Sequence, residues 1–363
     1  MKKTILLVDY YGTCNEQGEL LGHSRKVLQD YTKLIEEKAE ISVMASPCIL
    51  EEILPDAYTE CIPLPHNLVI APNNSLMTRI RDKFRLLTNL RQVVAVSGNY
   101  DVIWFYRTDF FLFFFFASHL LSLPKQLHKV ALIYQVTFTQ SRLNRFLEWI
   151  YKKGMKQFNV IITTVESKES KDRASRFYMP DYFYEEEQYG KYVAEEKVDQ
   201  VVCLGTMNHY KKLEELVEVF NQIEYPLEII GPFFDSERAI RLQEMAKPHI
   251  HIVNEKLSEE AYYKKLGKAK YTILPYDEQQ YEGRTSGILL ESMFVDTIPI
   301  APKCLFETTK VSGIAYEHMT ELIEQLPQWE DAWIEQRISE NQKRRSEQYD
   351  KKRVQETLND VLF

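Results

Sequence analysis

Residues 273–300 read ILPYDEQQYEGRTSGILLESMFVDTIPI. The stretch opens on a short apolar strand, Ile273-Leu274-Pro275, and passes through a polar loop, Tyr276 to Arg284. Thr285-Ser286-Gly287 then leads into an apolar helix with one charge, Glu291. The helix has to end before Pro299, which cannot continue it. Strand, small-residue turn and helix N-terminus together make an anion site. The first helical N–H groups lack backbone partners, and the macrodipole adds partial positive charge there. Ser286 and Gly287 let a phosphate approach closely, and Arg284 can add a charge-assisted contact. Glu291 sits one turn after Gly287 and faces the same way as the turn. A lone carboxylate among Ile288, Leu289, Leu290, Met293 and Phe294 is costly to bury without a partner, and a ribose diol is one such partner. A plain strand–turn–helix with Glu291 on a wet edge also satisfies this stretch taken alone.

The length, 363 residues, suggests two domains. Hydrophobic residues at 45% can fill real cores, and charged residues at 27% fit an ordinary folded protein. Cys14, Cys48, Cys61, Cys203 and Cys304 are widely spaced, with no CxxC pair. That argues against a zinc site or a disulfide framework and for a reducing, cytoplasmic setting. The start, MKKTILLVDYYG, reads as a first strand rather than a leader. The net charge of −8 is unevenly divided. Residues 62–165 carry 13 basic and 4 acidic side chains, whereas residues 198–363 carry 20 basic and 29 acidic. A basic middle in an acidic chain points to an anionic surface as partner.

Continuous apolar runs of the buried parallel-strand kind recur along the chain, first at 4–9. Further strands are expected at 41–45, 101–106, 129–134, 159–164, 201–204, 227–230, 250–253 and 271–274. Helices are expected at 23–37, 76–92, 142–157, 211–223 and 237–246, with another capped by Ser258. Residues 55–74 read as loop, 181–199 as an acidic interdomain linker, and 329–363 as charged helix. Residues 110–123, FFLFFFFASHLLSL, are too few to span a bilayer and read as a buried crossover helix. Alternating strands and helices imply a parallel, doubly wound sheet in each half, with the ligand at the carboxyl ends of the strands, in the cleft between halves. The expected division is 1–197, 198–340, and a C-terminal helix, 341–363, packing back on the first domain.

The second half resembles the nucleotide-sugar domain of GT-B glycosyltransferases, specifically the large retaining family often called family 4. The resemblance is carried by VVCLGTMNHYKKLEELVEVF at 201–220, LEIIGP at 227–232, IHIVNEKLSEEAYYKKLGKAKYTILPY at 250–276 and EGRTSGILLESMFVDTIPIAP at 282–302. The first half is more loosely similar, through GHSRKVLQDYTKLI at 22–35 and YQVTFTQSRLNRFLEWIYKKGMKQFNVIITTVESKES at 134–170. The resemblance implies two Rossmann-like domains facing a cleft. Glu291 would hold the nucleotide ribose. Ser286 and Gly287 would cradle the diphosphate and Lys211 would neutralise it, with Gly205, Thr206 and Thr285 among the nucleotide-sugar-binding residues. Asn254, Glu255, Lys256 and Leu257 fall where the base rests. Gly22, His23 and Gln135 fall on the acceptor side, although a cap or core role is the plainer reading of His23. Three positions depart from the pattern: the family's first glutamate is Gly283 here, with Glu282 one residue out of register; Thr206 stands for an arginine; and Gln135 stands for a histidine.

Lys211, Arg284 and Glu282 are thus the candidate catalytic residues. A helix N-terminus with Lys211 and Arg284 can stabilise a leaving diphosphate without a metal or cofactor. The expected function is a retaining, metal-independent transferase moving a sugar from a UDP- or GDP-sugar to a cell-envelope or exopolysaccharide glycan, lipid-linked. A catalytically inactive scaffold that keeps the fold is the alternative, motivated by Gly283 and Thr206. A nicotinamide dehydrogenase is disfavoured, because no GxGxxG follows a strand. Nucleic acid is not among the expected partners. Helices 76–92 and 142–157 pair basic with large apolar side chains, which suggests peripheral association with an anionic membrane surface. The plainer reading is that their apolar stripes face the core.

Overall fold

The computed structural model describes residues 2–14, 24–69, 76–133, 142–164, 175–281, 285–326 and 330–363. The chain forms two compact units. The first comprises residues up to Asp181 together with Val354–Phe363, and the second runs from Tyr182 to Arg353.

In the first unit the strands of the main sheet are β1 (Lys3–Asp9), β2 (Ala39–Ala45), β3 (Glu60–Pro63), β4 (Val102–Phe105), β5 (His128–Ile133), β6 (Val160–Thr163) and β7 (Ser175–Tyr178), and Thr13–Cys14 pairs separately with Leu68–Val69. The main sheet is parallel, in the order β3-β2-β1-β4-β5-β6-β7. Ile5, Leu6, Leu7 and Val8 are fully buried, as a strand covered on both faces requires. The phenylalanine run forms the helix Phe110–Ala117. Asp109 caps it by accepting from the Leu112 amide at 3.1 Å. Phe113 and Phe116 meet Phe158 edge-on, so the run belongs to the core of this unit. Among the described residues no helix is long and apolar enough to cross a membrane.

The second unit repeats the plan with β8 (Val198–Leu204), β9 (Leu227–Ile230), β10 (Ile250–Val253), β11 (Ala269–Ile273), β12 (Ile298–Pro302) and β13 (Ile314–Tyr316). Its parallel order is β10-β9-β8-β11-β12-β13. Alternate residues of β8 enter different cores. Val201 and Cys203 pack with Leu213, Leu216 and Leu242 on one face. Val202 and Leu204 pack with Leu266, Leu289 and Leu290 on the other. Each unit is therefore a Rossmann-like, doubly wound sheet whose strand order reverses beside its first strand.

The structure departs from the sequence reading in three places. Residues 55–74 are not all loop, because Glu60–Pro63 pairs with β2 as an edge strand. Residues 181–199 are no free linker: Tyr182, Tyr184 and Tyr189 are buried in the core of the second unit, which gives this polar segment its anchor. The strands Ser175–Tyr178, Ile298–Pro302 and Ile314–Tyr316 were not expected; the first and last lie at sheet edges, and Ile298–Pro302 is paired on both sides.

Candidate functional site

The carboxyl ends of β8 and β11 frame the site. Gly205 leaves β8 with φ +88°, a left-handed conformation that favours glycine. A Cβ added to it would lie 2.9 Å from Ile288 Cδ1, so the turn presses against the first turn of the helix Gly287–Phe294. Gly231, which follows β9, approaches more closely still: a Cβ there would sit 1.9 Å from the Gly205 carbonyl oxygen.

Lys211 folds back onto this turn. Its side chain is 3% exposed, and Nζ donates to the Leu204 carbonyl at 2.7 Å. A weaker contact runs to Met207 Sδ at 3.7 Å, and the Tyr276 ring centroid lies 6.0 Å away. Among the described residues no carboxylate forms an ion pair with it. Burial pushes its pKa below the usual lysine value. The backbone around it is fixed from both sides. The Lys212 amide donates to the Pro275 carbonyl at 2.7 Å, across to the end of β11. The Arg238 guanidinium donates to the carbonyls of Asn208 and Lys211, each at 2.8 Å, and to Glu214 Oε1 at 2.7 Å.

Ser286 precedes the helix Gly287–Phe294 but its hydroxyl does not cap it. That hydroxyl lies 3.3 Å from Tyr276 Oη instead, and Tyr276 stacks on Tyr281 with centroids 3.8 Å apart. The first amides of the helix therefore receive no side-chain cap from Ser286. A Cβ on Gly287 would fall 2.6 Å from Tyr182 Oη, which places a tyrosine hydroxyl against this helix end.

Glu291 is 8% exposed, and its neighbours revise the sequence reading. Tyr262 Oη donates to Oε2 at 2.7 Å and Tyr263 Oη to Oε1 at 2.8 Å. The partner that a buried carboxylate needs is thus supplied within the protein. A carboxylate oxygen can accept more than one hydrogen bond, so these two contacts do not by themselves exclude a diol. Burial, and then the Glu291 charge, raise the pKa of both tyrosines, so both remain donors.

Thr206 is exposed beside this turn and Thr285 is half-buried before the helix. Asn254, Glu255 and Lys256 are exposed and Leu257 half-buried after β10. Asn254 Oδ1 accepts from the Phe233 amide at 3.0 Å, which ties that loop to the end of β9. The structure thus brings Gly205, Lys211, Ser286 and Gly287 together and sets Glu291 one turn along the same helix. Glu282, Gly283, Arg284, Gly22, His23 and Gln135 lie outside the described residues. Sequence reasoning missed Tyr182, Tyr262, Tyr263, Tyr276 and Arg238. The adjacent Tyr262 and Tyr263, on the helix that follows Ser258, were the one available signal.

No protein-family profile matches the chain. No curated protein matches it. Solved structures do. The Anabaena protein Alr3699/HepE, in complex with UDP and glucose, aligns over 99% of both chains with a TM-score of 0.63 and 12% identity. The alpha,alpha-trehalose 6-phosphate synthase of Burkholderia multivorans aligns over 100% of this chain and 98% of its own, with a TM-score of 0.68 and 11% identity. The E. coli trehalose-6-phosphate structure bound with UDP-2-fluoro glucose aligns over 99% of both, with a TM-score of 0.63 and 9% identity. The fold is GT-B. In this GT-B chain the residues above lie where the strand order reverses, at the carboxyl ends of β8 and β11, the position at which doubly wound sheets bind ligands.

Proposed function

We propose that the chain is a glycosyltransferase that moves a sugar from a UDP- or GDP-sugar, with retention of anomeric configuration, to a cell-envelope glycan carried on a lipid. It would act on the cytoplasmic side and need neither metal nor cofactor. The observation that carries this reading is Lys211, buried at 3% exposure with no carboxylate ion-paired to it among the described residues, beside a helix N-terminus that the Ser286 hydroxyl does not cap. A buried ammonium is costly unless an anion completes it. A diphosphate seated between Lys211 and the amides of Gly287 and Ile288 would do so. The ligands of the Anabaena and E. coli neighbours, UDP with glucose and a UDP-sugar analogue, support the same class of donor.

In this reading the bond from the anomeric carbon to the diphosphate oxygen breaks, and a bond to the acceptor oxygen forms on the same face. The leaving diphosphate takes up the charge and the acceptor's proton. Lys211 and the helix N-terminus stabilise that charge as it develops, with Arg284 expected to add to it. Glu291 would hold the ribose, and the loop Asn254 to Leu257 the base. Glu282 would face the donor sugar, and Gly22, His23 and Gln135 the acceptor.

Purified protein, screened against nucleoside diphosphates and their sugars by thermal shift and then by release of UDP or GDP, tests this. A ligand at 100 times its dissociation constant adds about 2.7 kcal/mol. The expected result is stabilisation by one nucleotide and slow donor hydrolysis. Binding without hydrolysis or transfer for any sugar would leave the inactive scaffold, and no nucleotide binding would overturn the reading.

A further inference from the structure

Two helices of the first unit keep large apolar side chains out of the core. In the helix Leu76–Val96 the inward face is Leu86, Asn89, Leu90 and Val93, all buried. Nearer its N-terminus, Met77 is 75% exposed, Ile80 45% and Phe84 67%. These three fall at i, i+3 and i+7, one strip along the helix. The expectation that this stripe faces the core therefore holds only for its later turns. In the helix Arg142–Met155, Ile150, Tyr151 and Met155 are buried. Phe146 and Trp149 are 57% and 58% exposed and stack on each other at 6.0 Å.

Both helices flank Phe110–Ala117. Lys83 Nζ sits 3.6 Å over the Phe111 ring, and Phe110 stacks on Tyr151 at 6.5 Å. Single exposed apolar residues are ordinary. Two exposed apolar strips, Met77, Ile80 and Phe84 on one helix and Phe146 and Trp149 on another, on helices that both touch the same third helix, need an occupant.

Charge identifies the occupant. Arg81, Arg145, Lys152 and Lys156 are exposed on these helices and the turn after them, and Lys153 Nζ lies 5.8 Å from the Trp149 ring. Among the described residues of these helices, ion pairs form only between Arg85 and Asp82, at 3.6 Å, and between Lys152 and Glu148, at 2.7 Å. We infer that this face docks on an anionic lipid bilayer. Met77, Ile80, Phe84, Phe146 and Trp149 enter the boundary between headgroups and acyl chains, while the arginines and lysines around them meet lipid phosphates. The inference deepens the lipid-linked acceptor of the preceding reading, yet docking itself needs no donor.

Sedimentation of the whole protein with phosphatidylcholine vesicles, with and without phosphatidylglycerol, is the test. Binding is expected only with phosphatidylglycerol, falling as salt rises. Trp149 emission should shift to the blue, and the shift should vanish in Trp149→Phe. The double variant Phe84→Ser/Trp149→Ser should bind at least about tenfold more weakly, since each ring buries a large apolar surface. Unchanged circular dichroism and nucleotide binding would show that this variant is folded. No sedimentation at low salt, or undiminished binding by the double variant, would overturn the inference. So would a dimer that the double variant dissociates in the absence of lipid binding, since the face would then join copies of the chain. Vesicle binding without nucleotide release from any sugar nucleotide would keep this surface and sink only the transferase reading.

Discussion

Lys211 has a lowered pKa because burial disfavours its charged form, and a bound diphosphate would restore that form. The sign of the pH effect follows. Nucleotide binding prefers protonated Lys211, so affinity should fall as pH rises through the pKa of the free protein, and at lower pH than an ordinary lysine would give. Titration calorimetry of UDP and GDP across pH should show this fall. Lys211→Met should bind at least about tenfold more weakly, because a charged contact contributes on the order of 1.5–3 kcal/mol, and should lose that pH dependence. An identical pH profile in the variant would remove Lys211 from the site. Glu291 makes a different prediction, since its two oxygens already accept from Tyr262 and Tyr263. If the ribose diol also donates to this carboxylate, wild type should discriminate against 2′,3′-dideoxynucleotides and Glu291→Ala should not. Tyr263→Phe should weaken that discrimination and cost about 1–3 kcal/mol of stability, by leaving a buried carboxylate oxygen with one donor fewer. Equal discrimination in all three proteins would make Glu291 a purely structural residue.

At the scale of elements, the fold was legible wherever an apolar run was continuous. Leu227–Ile230 and Ile250–Val253 fall where the sequence placed them. Of the missed strands of the two large sheets, Glu60–Pro63, Ser175–Tyr178 and Ile314–Tyr316 lie at sheet edges, whereas Ile298–Pro302 lies inside its sheet and was hidden by its two prolines. An edge strand pairs on one side and can stay polar, so it lacks the run that marks a central one. The site was legible where one short segment makes it: glycine after a strand, lysine after the turn, small residues before a helix. The tyrosines were hidden because their contacts join distant segments, as Tyr182 reaches Gly287 and Tyr263 reaches Glu291. Arg238 was hidden for the same reason. From the helix Ser236–Met245 it holds the carbonyls of Asn208 and Lys211, and so sets where the Lys211 side chain starts. Its planar fork makes these contacts together, which a lysine cannot do. Arg238→Lys is therefore expected to lower UDP or GDP affinity by about tenfold, one charged contact's worth, while leaving the bare nucleoside unaffected. Nucleoside and nucleotide affinity falling together would show that Arg238 supports the fold at large rather than the diphosphate end of the site.

At the scale of the whole molecule, the chain crosses back from its second unit to its first. The helix Lys351–Leu362 ends the chain, and from Val354 onward it belongs to the first unit. Val354, Leu358, Val361 and Leu362 are buried. Lys3 Nζ at the start of β1 donates to the Leu362 carbonyl at 3.2 Å and the Phe363 carbonyl at 3.1 Å. His128 Nε2, at the start of β5, lies 3.1 Å from the Val361 carbonyl oxygen. The last residues of the chain thus pack on the first unit, while the second unit holds Lys211 and Glu291, the residues proposed to bind the nucleotide. Removing residues 354–363 should therefore act on one unit only. Burying each aliphatic side chain contributes about 1.5–3 kcal/mol, so four of them amount to a large share of one domain's stability. Calorimetry of the truncated chain should show a transition shifted to much lower temperature. A second transition should stay in place and still rise when the binding nucleotide is added. Limited proteolysis should cut the first unit and leave a fragment beginning near Tyr182. A single transition shifted as a whole, with nucleotide stabilisation lost, would mean that the two units unfold as one and that the terminal helix supports the nucleotide site as well.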